Sequence, residues 1–130
     1  KINPAKTVEL YTIFLSWERT SLNKRIKERT KDMLLKGWID EVENLLELQT
    51  NRQKVFSSLN SIGYKHIKSF LNNEISKKEM FEIIYIRTRQ LARRQEKWFK
   101  KEPVNLFVMM DSLKGEKIYK ILDCFVKRIP

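Results

Sequence analysis

Residues 8–17 read Val8-Glu-Leu-Tyr-Thr-Ile-Phe-Leu-Ser-Trp17. The stretch is rich in β-branched and aromatic residues and nearly continuous in apolar character. That pattern predicts a strand covered on both faces, as in a parallel sheet, rather than a half-exposed strand with strict alternation. The next candidate is Val104-Asn-Leu-Phe-Val-Met-Met110, bounded by Pro103 and Asp111. Two strands make a marginal sheet on their own. The expectation is therefore that both join a larger sheet with strands from outside this chain. These two segments make the fold α/β; without them the chain reads as helical throughout.

The rest of the chain carries helical signals. Thr20 or Ser21 is the expected cap of a helix running to about Lys36, with Leu22, Ile26, Met33 and Leu34 inward and Gly37 as its stop. A second helix is predicted from Trp38 to about Leu48, with Ile39, Val42, Leu45 and Leu46 inward. Asn51 to Asn60 is less regular. Gly63 marks a turn, and a short helix follows through Leu71. Ser76-Lys-Lys-Glu79 is a capping box. It opens the longest helix, roughly Lys77 to Lys101, with Met80, Ile83, Ile84 and Leu91 as its apolar stripe and Pro103 beyond its end. Glu116 to Lys127 is predicted as a last amphipathic helix, with Ile118, Ile121, Leu122 and Phe125 inward.

Composition narrows the function. The 130 residues carry 27 Lys and Arg against 16 Asp and Glu, a net charge of +11. Such an excess favours nucleic acid, an anionic membrane or an acidic partner. No apolar run reaches membrane-spanning length and no signal peptide is visible, so no membrane partner is expected. Cys124 is the only cysteine. It rules out an internal disulfide and fits a reducing compartment, and cytoplasmic placement is the expectation. Its apolar neighbours mark it as a core residue. His66 is the only histidine, with no Cys partner, so no zinc site is expected.

The charge is concentrated. Residues 77–101 hold nine Lys or Arg against three Glu, a net +6 of the chain's +11. Arg87, Gln90, Arg94, Lys97 and Lys101 follow steps of three and four and share one helical face. Arg89, Arg93 and Lys100 flank it. A solvated helix usually alternates signs; after Glu82 this one does so only at Glu96. A phosphate backbone is the better match. Trp98 and Phe99 either stack on a base or pack inward near the helix end. Gly63 suits a place where the backbone approaches something closely, or an ordinary turn, and Tyr64 and Lys65 beside it are candidates for phosphate or sugar contact. A second cluster is Lys24, Arg25, Lys27 and Arg29. Arg25 and Arg29 lie one turn apart and either clamp a diphosphate or join an exposed salt-bridged face with Glu28 and Asp32.

Three segments together resemble one family. Arg25-Ile26 with Arg29, Met33-Leu34, Gly37, Glu41-Val42 and Leu45-Leu46 is similar to a helical signature of the tRNA dimethylallyltransferases. Ser61-Ile62-Gly63-Tyr64-Lys65 resembles their Gly-Tyr/Phe-Arg/Lys turn. Thr88-Arg89-Gln90-Leu91-Ala92-Arg93-Arg94-Gln95 with Trp98 resembles their Thr-Arg-Gln helix. Order and approximate spacing agree over roughly residues 8 to 101, and the third motif is the most specific. Arg93 stands where a Lys is usual, and Lys97 where many members carry Thr.

The resemblance implies a P-loop nucleotide-kinase-like fold with helical additions. It implies transfer of a dimethylallyl group from dimethylallyl diphosphate to N6 of the adenine next to the anticodon, with Mg2+ assisting the diphosphate from a site not in this chain. The target base is turned out of its stack to react. By motif match Asn60, Ser61, Ile62, Gly63, Tyr64 and Lys65 contact the tRNA, as do Arg93, Arg94, Gln95, Glu96, Lys97, Trp98, Phe99 and Lys100. Thr88, Arg89 and Gln90 shape the anticodon-loop surface. Arg29, or alternatively Arg25, reaches the diphosphate. The family's catalytic half carries a Gly-rich phosphate loop and an Asp base. The three glycines here, Gly37, Gly63 and Gly115, form no Gly-x4-Gly-Lys-Ser/Thr arrangement. The expectation is thus a single partial domain without the P-loop half, inactive alone. Residues 1–18 are its strand segment, 19–101 the helical tRNA-contacting part, and 102–130 a strand plus C-terminal helix. The alternative is a non-catalytic basic helical RNA-binding module.

Overall fold

A computed structural model describes residues 12–53, 55–112, 119–120 and 123. The elements run β1 (Ile13–Ser16), α1 (Arg19–Leu35), α2 (Trp38–Arg52), a 3-10 turn (Ser57–Asn60), α3 (Tyr64–Leu71), α4 (Lys77–Phe99), β2 (Leu106–Met109) and a second 3-10 turn (Met110–Ser112). The chain divides into two compact units. One is the continuous stretch Leu22–Gln95; the other joins the residues up to Ser21 with those from Glu96 onward. The predicted helix Glu116–Lys127, and Cys124 within it, lie outside the described residues apart from Tyr119, Lys120 and Asp123.

In the unit built from the two ends, β1 and β2 pair in parallel, with Ile13 opposite Leu106 and Ser16 opposite Met109. The apolar pattern of Val8–Trp17 predicts a parallel sheet, but with partner strands from outside the chain; here the two segments pair with each other. Asn105 fixes the entry to the ladder: its side-chain Oδ1 accepts the Thr12 N–H at 2.8 Å while its own N–H donates to Thr12 O at 2.9 Å. Phe14 holds the pair from one face, with ring centroids 5.6 Å from Phe107 and 5.5 Å from Phe99. Val108 is buried, yet Leu15 is 51% and Phe107 55% exposed. Coverage on both faces, as the pattern predicts, is therefore not supplied within the described residues.

Glu18 caps α1, which corrects the expectation of Thr20 or Ser21. Its carboxylate accepts the backbone N–H groups of Thr20 at 2.8 Å and Ser21 at 3.2 Å, and the Thr20 hydroxyl as well. These bonds, the Thr20 hydroxyl first, hold the Glu18 carboxyl below its ordinary range. A carboxylate here also meets the positive end of the helix dipole. Glu18 N–H in turn donates to Asp111 beyond β2.

The continuous unit holds a core of Trp38, Val42, Leu59, Ile67, Met80 and Ile84. Met33 and Leu34 of α1 and Ile39, Leu45 and Leu46 of α2 pack against it, which matches the predicted α2 stripe and the second half of the α1 stripe; Leu22 and Ile26 are half-buried but not among the residues packed on this core. Thr30 is buried on α1 as well. A buried hydroxyl needs a partner; Thr30 Oγ1 donates to Ile26 O at 2.8 Å. Gly37, at φ +92°, stops α1 and starts α2. The second helix runs four residues past the expected Leu48, to Arg52, and Gln53 ends it at positive φ.

Candidate nucleic-acid interface

The capping box forms as read. Ser76 N–H donates to Glu79 Oε2 at 2.8 Å and Glu79 N–H to Ser76 Oγ at 3.2 Å. Those bonds hold the Glu79 carboxyl below its usual range. From this start α4 buries Met80 and Ile84, and that burial anchors its first half. Leu91, the last residue of the expected apolar stripe, is 37% exposed, so the stripe fades where the charge begins.

Beyond Ile84 the helix turns polar outward. Arg87, Gln90, Arg93, Arg94, Gln95, Glu96, Lys97 and Lys100 are all exposed. Arg87 Nη1 reaches Gln90 Oε1 at 3.3 Å, and Lys100 pairs with Glu96 at 2.6 Å. Both contacts are solvent-exposed and weak. Thr88 is half-buried and spends its hydroxyl on Ile84 O at 2.8 Å, so it shapes the helix instead of offering a donor outward. Arg89 is also half-buried; its Nε donates to Asn23 Oδ1 at 2.9 Å. The two aromatic residues take one role each. Phe99 packs on Phe14, whereas Trp98 stays 57% exposed with its ring edge-on to Phe99 at 4.7 Å. A flat ring held at the end of a cationic row is a stacking platform for an unpaired base.

The Gly63 turn lies in the continuous unit. Gly63 adopts φ +96°, and a Cβ there would fall 2.2 Å from Trp38 Cζ2 and Cη2. The close approach suggested by the sequence is thus to the indole of Trp38. Ser61 closes the preceding turn, its hydroxyl donating to Ser58 O at 2.7 Å. Tyr64 is committed to packing: its ring meets Trp38 edge-on at 5.8 Å and its hydroxyl donates to Glu41 Oε1 at 2.7 Å. That hydrogen bond pushes the phenol above its ordinary range. Asn60, Ser61 and Lys65 are exposed, and Ile62 is half-buried. His66 follows on the first turn of α3, its N–H donating to Gly63 O at 3.0 Å. Burial, then the charges of Lys65 and Arg87, push its imidazole down.

On α1, Arg25 and Arg29 are exposed one turn apart. Their shared face, legible from spacing, is confirmed by the unbroken helix. No group of three or more His, Cys, Asp or Glu among the described residues is arranged to hold a metal ion. Among the described residues no such cluster fits a Mg2+ ion. No described helix is long and apolar enough to cross a membrane. Sequence reasoning missed Asn23 and Tyr85. Tyr85 stands one turn before Arg89, a spacing at which an aromatic and a cation meet; Asn23 carries no local signal at all.

The family model for IPP transferase matches residues 1–102. The tRNA dimethylallyltransferase of a Campylobacter jejuni strain is 44% identical over 101 residues, 78% of this chain and 33% of the relative. That of Campylobacter lari is 39% identical over 113 residues, 85% of this chain and 37% of the relative. The chain thus spans about a third of the length of the curated relatives it matches. Among solved structures, the tRNA isopentenylpyrophosphate transferase of Bacillus halodurans superposes with a TM-score of 0.81 at 27% identity, covering 95% of this chain and 40% of that one. The corresponding transferase of Staphylococcus epidermidis gives 0.82 at 25% identity, covering 92% and 38%. The mostly helical fold with its short parallel sheet is the fold of these enzymes over the matched part. The chain belongs to the IPP transferase family.

Proposed function

We propose that this chain is the tRNA-recognising part of a tRNA dimethylallyltransferase. In the complete reaction N6 of the adenine beside the anticodon forms a bond to the allylic carbon of dimethylallyl diphosphate. The carbon–oxygen bond to diphosphate breaks, and N6 loses a proton to a base. The phosphate loop and that base belong to a P-loop half, which is the partner this reading requires; a Mg2+ ion held by that half would neutralise charge on the leaving diphosphate. The chain's own contribution is to bind and hold the RNA. The observation that carries the reading is the exposed row of Arg93, Arg94, Lys97 and Lys100 ending on the exposed ring of Trp98. The cations track phosphates and the indole stacks on a loop base. Asn60, Ser61 and Lys65 of the Gly63 turn contact the tRNA as well. Gly63, Ile62 and Tyr64 hold that turn against Trp38. Thr88 and Gln90 shape the surface between. Arg29, with Arg25 as the alternative, reaches the donor diphosphate as a bidentate partner.

The test is a salt titration of binding to an anticodon stem-loop with adenine at the target position, beside a hairpin with that adenine replaced. Four phosphate contacts to an unpaired strand give a slope of log affinity against log salt of about −3. Preference for the adenine hairpin, weakened by Arg93→Ala and Arg94→Ala, supports the reading. Equal binding to both hairpins with the same slope would leave only a general basic RNA-binding module. Transfer of the dimethylallyl group by the 130-residue chain alone would refute the division of labour.

A further inference from the structure

Arg89 differs from the other cations in the second half of α4. Its guanidinium carbon lies 5.1 Å from the centroid of the Tyr85 ring, and its Nε donates to Asn23 Oδ1 at 2.9 Å. Lys27 of α1 sets its Nζ 6.0 Å from the centroid of the same ring. Asn23 and Lys27 are one turn apart on α1; Tyr85 and Arg89 are one turn apart on α4. The four side chains thus brace two helices that are distant in sequence over one turn of each. From the brace we infer that Arg89 is a positioning residue, acting through Asn23 and Tyr85 to lock α4 against α1, and not a phosphate ligand. This rests on the RNA-binding reading above and assigns one motif residue a different task within it.

The chemistry supports the distinction. Guanidinium holds phosphate best through a two-nitrogen fork. In Arg89 the Nε edge is committed to an amide oxygen, and the guanidinium carbon sits over an aromatic ring. The residue is half-buried, where Arg93 and Arg94 are exposed. The brace also sets how α4 is aimed. At about 100° per residue, the face of Arg87, Gln90, Arg94 and Lys97 centres about 120° around the axis from Arg89. Fixing Arg89 against α1 fixes the direction of that face.

The experiment combines thermal melting with hairpin binding at several salt concentrations, for the full 130-residue chain and its Arg89→Ala, Arg89→Lys, Asn23→Ala, Asn23→Ala/Arg89→Ala and Arg94→Ala variants. Binding is measured well below every melting temperature. Arg89→Ala is expected to weaken binding about tenfold and to erode the preference for the adenine hairpin. Its salt slope should stay at the unaltered value, because no phosphate contact is lost. Asn23→Ala, which removes no charge, should lose preference in the same way, and the double variant should be little worse than either single one. Arg89→Lys should fail to rescue, since lysine has no Nε edge or planar face. Arg94→Ala is the contrast: its slope should fall in magnitude by about 0.7.

A drop in slope for Arg89→Ala equal to that of Arg94→Ala, with rescue by lysine, would overturn the inference. So would a lower melting temperature with unchanged binding and preference, the sign of a merely structural contact. If the unaltered chain binds neither hairpin, the functional reading falls and the positioning role with it. Additive melting effects of Asn23→Ala and Arg89→Ala would separately overturn the brace.

Discussion

Replacing Gly63 by alanine tests the turn on which one half of the interface rests. Two costs are separable. The backbone sits at φ +96° and ψ −68°, outside the regions open to an L residue, and a single residue forced to positive φ costs about 1–2 kcal/mol. The new methyl would also stand 2.2 Å from Cζ2 and Cη2 of Trp38. Trp38 is buried and packed edge-on to Tyr64, so its rigid ring has no free direction of retreat. Overpacking of this kind costs about 1–3 kcal/mol. The expected loss is about 3–4 kcal/mol, a large share of a stability of about 5–15 kcal/mol. The assay is urea unfolding of Gly63→Ala beside Gly37→Ala. Gly37 has nearly the same φ, +92°, but its added Cβ meets nothing closer than Asp40 Oδ2 at 3.4 Å. Gly37, at ψ 23° in the left-handed helical region, should show only a milder backbone cost, and Gly63→Ala, with its ψ of −68° and the clash, should exceed it by about 2 kcal/mol or more. Equal losses at the two glycines would refute the steric argument. Trimming the indole in a Trp38→Leu background should shrink the excess at Gly63; an unchanged excess would place the clash elsewhere.

Further outcomes follow from the caps and the titratable groups. Ser76→Ala removes one half of the capping box and should cost about 1 kcal/mol in chemical unfolding. Glu79 carries a lowered pKa from its bonds to Ser76, so its contribution is present above the ordinary carboxylate range and is lost as pH falls through the folded value. Acid titration of stability should show a smaller loss in Glu79→Gln than in the unaltered chain. His66 is held low by burial, then by Lys65 and Arg87, and its Nε2 is buried without a hydrogen-bond partner among the described residues. Its folded pKa is depressed below the ordinary 6.5, so stability falls as pH drops below about that value, and His66→Gln should remove this slope. Tyr64 is raised by its bond to Glu41. Glu41→Gln should bring the Tyr64 phenol back toward its ordinary range in an ultraviolet titration differenced against Tyr64→Phe.

Legibility followed the range of the interaction that decided each feature. The capping box at Ser76 and Glu79 is a contact across three residues, and it stands as the spacing predicts. The inward stripes of α1 and α2 and the stop at Gly37 are equally local. The cap of α1 was missed because propensity ranks Ser and Thr above Glu, while Glu18 is oriented by Asp111, 93 residues away. Thr30 was missed because a polar residue on a charged helix looks solvated until its hydroxyl is seen to satisfy itself on Ile26. For the interface, helical spacing was enough to align Arg87, Gln90, Arg94 and Lys97 on one face. It was not enough to separate Arg89 from them, since its partner Asn23 lies 66 residues back. It also left Trp98 and Phe99 undivided, and the position of Phe14 separates them.

The design of α4 resolves a conflict between holding and binding. A row of like charges repels itself and contributes nothing to a core, so a helix devoted wholly to phosphate contact would lack an anchor. Here the helix is divided along its length. Its first two turns carry the capping box and bury Met80 and Ile84 fully. These contribute the cap and the apolar burial, of the order of 1 kcal/mol for the cap and about 1.5–3 kcal/mol for each large side chain. The later turns then project Arg93, Arg94, Lys97 and Lys100 without burying any of them. On the proposed reading, phosphate relieves the repulsion that the folded chain tolerates. The proposed phosphate ligands thus lie past the anchor of the longest helix and not over it.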